Sequence, residues 1–90
     1  MSGKKTKVIY TRVSKKRLRK IDSKQAKRIV AKVAEYTKTK PLDKAKALSK
    51  PFEGLYRYRV GDYRVIFQYE EKRLIIVTIM TIKHRKDAYK

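Results

Sequence analysis

The chain has 90 residues, of which 27 are Lys or Arg and 8 are Asp or Glu, giving a formal charge of +19. That length accommodates one domain with one modest core, and a hydrophobic content of 41% is enough to build it. No cysteine and a single histidine exclude a disulfide scaffold, a thiolate metal site and a histidine cluster, so neither metal nor cofactor is expected.

A field of that sign attracts polyanions and speeds their encounter, and it also opposes compaction. An acidic partner is therefore expected to stabilise the free chain. The basic opening stretch, residues 1–7, is not followed by the apolar run of a signal peptide. The longest apolar run, residues 74–82, is about half of what a membrane span needs. A soluble, cytoplasmic, single domain over residues 1–90 with no membrane partner is the expectation.

Residues 7–11 form a short β-prone run and the first predicted strand. Ser14 is the predicted N-cap of a short basic helix ending near Ile21, with Leu18 and Ile21 on its narrow apolar edge. Asp22, with Gln25 three residues on, resembles a capping box. Ala26, Ile29, Val30, Val33 and Ala34 then give the stripe of a core-facing helix running to about Thr37. Residues 39–54 are irregular and punctuated by Pro41, Pro51 and Gly54, with Leu42, Ala45, Leu48 and Phe52 available to pack beneath. A connection of that length in a small domain is often functional.

From Leu55 onward, aromatic or aliphatic residues alternate with arginines on both sides of Gly61-Asp62. Tyr56, Tyr58 and Val60 share a face with Tyr63, Val65 and Phe67, while Arg57, Arg59, Arg64 and Ile66 lie opposite. Gly at the first central position predicts a two-residue type II′ hairpin pairing Val60 with Tyr63, Arg59 with Arg64, Tyr58 with Val65 and Arg57 with Ile66. Like charges placed opposite one another destabilise a sheet. Folding alone gives no reason to gather three guanidiniums there, and an anion is the natural missing partner. The tyrosines at 56, 58, 63 and 69 read as core packing.

Residues 74–82 read as a central strand with both faces apolar. If Tyr69 pairs with Leu74, then Ile75, Val77, Ile79 and Thr81 join the arginine face, Arg64 stands across from Ile79, and Lys83 leaves the sheet on the arginine side. The predicted architecture is α+β, in the order β-α-α-β-β-β: an antiparallel sheet with two helices packed on its tyrosine face and a short C-terminal tail or helix. A guanidinium-lined sheet face suits single-stranded RNA.

The run GLYRYRVGDYRVIF at residues 54–67, an apolar strand, and then HRKDAY at residues 84–89 resemble the RelE/ParE toxin superfamily, as does the element order. The resemblance spans residues 8–89. It implies the toxin of a type II toxin–antitoxin system. In the RelE branch such toxins are ribosome-dependent endoribonucleases that enter the A site and cleave translated mRNA. The ParE branch shares the fold and poisons DNA gyrase without cutting RNA. Both are neutralised by a cognate antitoxin, so the resemblance implies an acidic, partly disordered partner and an oligomeric complex.

Carried onto this sequence, the resemblance makes Arg64, Arg59, His84 and Tyr89 the catalytic candidates and Arg57, Lys83 and Arg85 the RNA-phosphate ligands. Positions 57 and 59 are commonly lysine in the RelE branch. Arginine there can clamp a phosphate bidentately but cannot give up its proton, which favours electrostatic work. Arg64 matches the arginine that stabilises the scissile phosphate, and Tyr89 the tyrosine that stacks on a base and assists the reaction. His84 is the side chain best suited by type to acid–base catalysis. A plain basic RNA-binding protein accounts for the composition but not for the His84/Tyr89 motif.

Overall fold

A computed structural model describes residues 4–86 of the chain. The elements are β1 (Thr6–Tyr10), α1 (Arg12–Lys20), α2 (Ser23–Tyr36), β2 (Lys46–Ala47), β3 (Leu55–Val60), β4 (Tyr63–Glu71) and β5 (Ile75–His84). They build one sheet in the order β1-β5-β4-β3-β2. β1 runs parallel to β5, and every other neighbouring pair is antiparallel. The two-residue β2 extends the sheet beyond the strands that the sequence pattern marks. No described helix is long and apolar enough to cross a membrane.

The hairpin forms in the predicted register, from Val60 opposite Tyr63 to Arg57 opposite Ile66. Gly61 has φ +58° while Asp62 stays out of the left-handed region, which is the type II′ arrangement. The tyrosine face lies under the helices. Ile29 and Val33 of α2 pack onto Tyr58, Val60, Val65 and Phe67 of the hairpin and onto Ile75, Val77, Ile79 and Ile82 of β5. Tyr58 is fully buried, with its ring 4.4 Å from that of Phe67 and 5.1 Å from that of Tyr36. Its hydroxyl donates to the Pro41 carbonyl at 2.5 Å, which ties the irregular 39–54 segment to the core. Burial raises the Tyr58 pKa, so that donor keeps its proton.

Three details differ from the sequence reading. First, Thr11 caps α1, and Ser14 lies inside its first turn. Thr11 Oγ1 accepts from the Ser14 N–H at 3.1 Å, and Ser14 Oγ donates to the Thr11 carbonyl at 2.8 Å. The β-branched Thr11 ends a strand and caps a helix at once. Second, Val30 is 42% exposed and Ala34 is exposed too, so the buried members of the α2 stripe are Ile29 and Val33, which face the sheet. Asp22 does cap α2, accepting from the Lys24 N–H at 3.2 Å.

The third difference is the register of β5. Tyr69 pairs with Val77 and Phe67 with Ile79, so Ile75, Val77 and Ile79 are core residues on the helix side and not members of the arginine face. A bulge then intervenes: Ile66 pairs with Thr81, leaving Met80 as the extra residue. Beyond it, Val65 pairs with the buried Ile82, and Arg64 faces Lys83 rather than Ile79.

Thr11 also binds this bulge. Its hydroxyl lies 2.8 Å from the Ile79 carbonyl and 3.0 Å from that of Met80. Thr11→Ala therefore removes a cap and the bulge's partner together, and is expected to destabilise the fold by about 1–2 kcal/mol. Thr11→Ser should retain most of the stability. Guanidinium unfolding measures both, and an unchanged midpoint for Thr11→Ala would refute the cap.

Candidate functional site

Residues paired across adjacent strands share a face. On the face away from the helices, Arg59 pairs with Arg64 and Arg64 with Lys83, so three cations form a row across β3, β4 and β5. Beside it runs a second row, Lys46–Arg57–Ile66–Thr81. Lys46 belongs to the cluster only because β2 pairs with β3, which no pattern in the sequence marks. Burial, then the charges of Arg64 and Arg59, hold the Arg57 pKa below the ordinary guanidinium value. Arginine starts so high that Arg57 stays charged.

The ion-paired glutamates of β4 stand elsewhere. Glu71 pairs with Lys4 at 3.5 Å and Glu70 with Lys72 at 3.8 Å, both at the far end of β4 from Arg64. Six residues of strand put roughly 20 Å between Arg64 and Glu70. Among the described residues, no carboxylate pairs with Arg57, Arg59 or Lys83.

The cations border a cleft of about 260 Å³. Leu55, Ile66 and Met80 contribute its apolar sheet surface, Leu48 and Phe52 its wall, and Arg57, Arg64 and Lys83 its charge. The wall is positioned by local backbone hydrogen bonds. The Leu48 N–H donates to the Leu55 carbonyl at 2.9 Å, the Phe52 N–H to Ser49 at 2.9 Å, and the Leu55 N–H to Phe52 at 3.1 Å. Among the described lining residues there is neither carboxylate nor imidazole. Such a site can bind an anion and stabilise developing negative charge.

His84 is not on this face. It pairs with Tyr63, and the two rings meet edge-on at 5.1 Å on the helix side of the sheet. There it borders a separate cleft of about 190 Å³ with Gln25, Arg28, Gly61, Asp62 and Tyr63. Its Nδ1 accepts from the Lys86 N–H at 3.2 Å, which leaves the proton of the neutral ring on Nε2. Arg85 is held to the hairpin turn, its N–H donating to the Asp62 carbonyl at 2.7 Å and its guanidinium 4.0 Å from the Asp62 carboxylate. The fold thus brings Arg57, Arg59, Arg64 and Lys83 together and leaves His84 and Arg85 apart. Tyr89 lies outside the described residues.

The family model for the ParE toxin of the type II toxin–antitoxin system parDE matches residues 8–89. The chain belongs to the RelE/ParE toxin family. No curated protein matches the sequence. The toxin–antitoxin complex RelBE2 of Mycobacterium tuberculosis contains a similar chain, with TM-score 0.71, 25% identity, and 94% of each chain covered. The RelB–RelE antitoxin–toxin complex of Methanococcus jannaschii gives TM-score 0.64 and 24% identity over 91% of this chain and 95% of that one. YafQ of E. coli shares the fold, with TM-score 0.64 and 15% identity over 96% and 100% of the two chains.

Within this toxin fold the cation row opposes folding. Arg59 is exposed, so Arg59→Gln leaves the core intact and relieves one like-charge pair. The free variant is expected to be more stable at low salt by roughly 0.2–1 kcal/mol. Inorganic polyphosphate should raise the unfolding midpoint of the wild type more than that of the variant. Chemical denaturation with and without polyphosphate measures both effects. A less stable free variant would contradict the repulsion.

Proposed function

We propose that the protein is a ribosome-dependent endoribonuclease of the RelE type, cleaving translated mRNA in the A site and so inhibiting translation. The observation that carries this reading is the row Arg59–Arg64–Lys83 with Arg57 beside it, an anion site bordered by an apolar cleft. Cleavage through the 2′-hydroxyl needs that hydroxyl deprotonated, the phosphorane stabilised and the 5′-oxygen neutralised as it leaves. Arg64 and Arg59 take the second task, and Arg57 and Lys83 hold the phosphate.

Arginines cannot take the proton. The proton steps therefore fall to Tyr89, to the ribosome, or to the message itself. His84 and Arg85, anchored to Tyr63 and Asp62, act as positioning residues for the chain that leads to Tyr89. Neutralisation is assigned to an acidic, partly disordered antitoxin that folds on binding in an oligomeric complex. It answers the +19 charge of the chain.

Primer extension on a translated message after induction tests the reading. Cuts should appear only while the message is being translated, and intact messages would overturn it. Arg64→Ala should lower cleavage by about 100-fold or more. His84→Ala should stay well short of the roughly 10²–10⁴-fold loss of a general acid or base, with the shape of the pH–rate profile unchanged. Tyr89→Phe should slow cleavage, and an unchanged rate would remove Tyr89 from the mechanism.

The ParE reading, poisoning DNA gyrase without cutting RNA, is favoured by one observation. The described lining of the arginine cleft offers charge without a carboxylate or imidazole. A DNA-damage response with intact messages selects it.

A further inference from the structure

The cleft on the helix side of the sheet is built from side chains that the cation row does not use. Gln25 and Arg28 reach it from α2, Gly61, Asp62 and Tyr63 from the hairpin, and His84 from the end of β5. Arg28 rests on the turn, its guanidinium 3.4 Å from where a Gly61 Cβ would stand. The carboxylate among these residues, Asp62, is answered by the Arg85 guanidinium at 4.0 Å, so Arg28 sets the sign of the cleft. His84 adds a donor. Its Nδ1 is taken by the Lys86 N–H at 3.2 Å, and the neutral ring therefore carries its N–H on Nε2.

We infer that this cleft is a second phosphate site, which takes a phosphodiester of a nucleic acid between Arg28 and His84. The guanidinium fork matches two phosphate oxygens at once, and the imidazole and Gln25 amide N–H groups suit further acceptors. The lining decides between a phosphate and the acidic side chain of a protein. A peptide that brings a carboxylate also brings apolar side chains to bury, and no aliphatic residue borders this cleft among those described. A nucleic-acid backbone asks only for charge and donors. A volume of about 190 Å³ is below the range of drug-sized pockets, roughly 300–1,000 Å³, and suits a single such group. The site stands on the opposite surface from Arg59, Arg64 and Lys83 but at the same end of the sheet, with the Gly61-Asp62 turn between them. A backbone that rounds this end is held on both faces. The site goes beyond the cleavage reading and does not depend on it.

Side-chain NMR of the full chain, titrated with inorganic phosphate at constant ionic strength, tests the site first. The Arg28 Nε–H and His84 Cε1–H signals should shift saturably. Arg28→Gln should weaken the His84 response by roughly 10-fold or more and leave those of Arg57 and Arg59 unchanged. Arg28 is exposed, so the thermal midpoint of the variant should match that of the wild type. Nucleic acids come second. In Arg28→Gln the slope of log K against log salt should become shallower by about 0.7 for dodecauridylate, or by about 0.9 for a short DNA duplex, according to which backbone reaches the site. Arg28→Lys, which keeps the charge, should retain the slope.

Arg57 and Arg59 signals that respond while those of Arg28 and His84 do not overturn the site and leave the cation row and the proposed activity standing. Slopes unchanged in Arg28→Gln for both nucleic acids overturn it as well, leaving a site for free phosphate only. A polyglutamate peptide that shifts the Arg28 and His84 signals where neither nucleic acid does assigns the cleft to a protein partner and overturns the inference. Silence of all four signals, with no salt-dependent binding of either nucleic acid, overturns the site and the RNA reading together.

Discussion

The bulge at Met80 decides what each face of the sheet contains. Ile75, Val77 and Ile79 follow the two-residue period of a strand, but Ile82 comes three residues after Ile79. A regular strand would turn Ile82 to the open face. One inserted residue restores its burial, worth roughly 1.5–3 kcal/mol, against a lost ladder bond worth about 0.5–1.5 kcal/mol. Nor are the bulge's carbonyls left without donors, since the Thr11 hydroxyl reaches those of Ile79 and Met80. The Arg17 Nε–H donates to the Ile82 carbonyl at 3.0 Å. The start of α1 and the irregularity in β5 are thus parts of one arrangement.

The functional consequence lies downstream. Without the bulge, His84 would face the open side and Lys83 the helices. With it, Lys83 completes the row with Arg59 and Arg64, and His84 stands against Tyr63 on the opposite surface. The bulge exchanges an imidazole for an ammonium in the cation row. It turns a face that had the means for proton transfer into one built for electrostatics.

The hairpin was legible in the sequence because two constraints agreed. A two-residue loop fixes which residues pair, and a single buried face forbids a slip by one. The α2 helix was legible for the same kind of reason, a stripe of apolar residues at helical spacing. β5 was not. With apolar residues on both faces, a strand carries no alternation from which to read parity, and a bulge leaves no mark on composition. Lys83 was expected on the arginine face through two displacements that cancelled: a parity inverted at Ile79 and a bulge that inverts it again. Lys46 escaped notice, and Phe52 was expected to pack beneath its segment but is exposed, because a two-residue strand and the turn after Pro51 have no period at all. Their placement comes from pairing with β3 and from local backbone bonds.

The two surfaces remain connected through the hairpin turn. Arg59 and Arg64 are one residue from the two ends of β3 and β4, beside Gly61 and Asp62. Asp62 holds Arg85 through backbone and carboxylate, and Tyr63 holds His84. The chain therefore leaves β5 at the end of the sheet where the cation row stands, and the element that sets the spacing of the arginines also sets where the tail begins. The cation row and the chain that leaves β5 share one fixed point. The type II′ turn provides it. Gly61 is the position at which its backbone demands φ above zero, and a Cβ there would only touch the Arg28 guanidinium, at 3.4 Å, so the backbone and not the space requires the glycine.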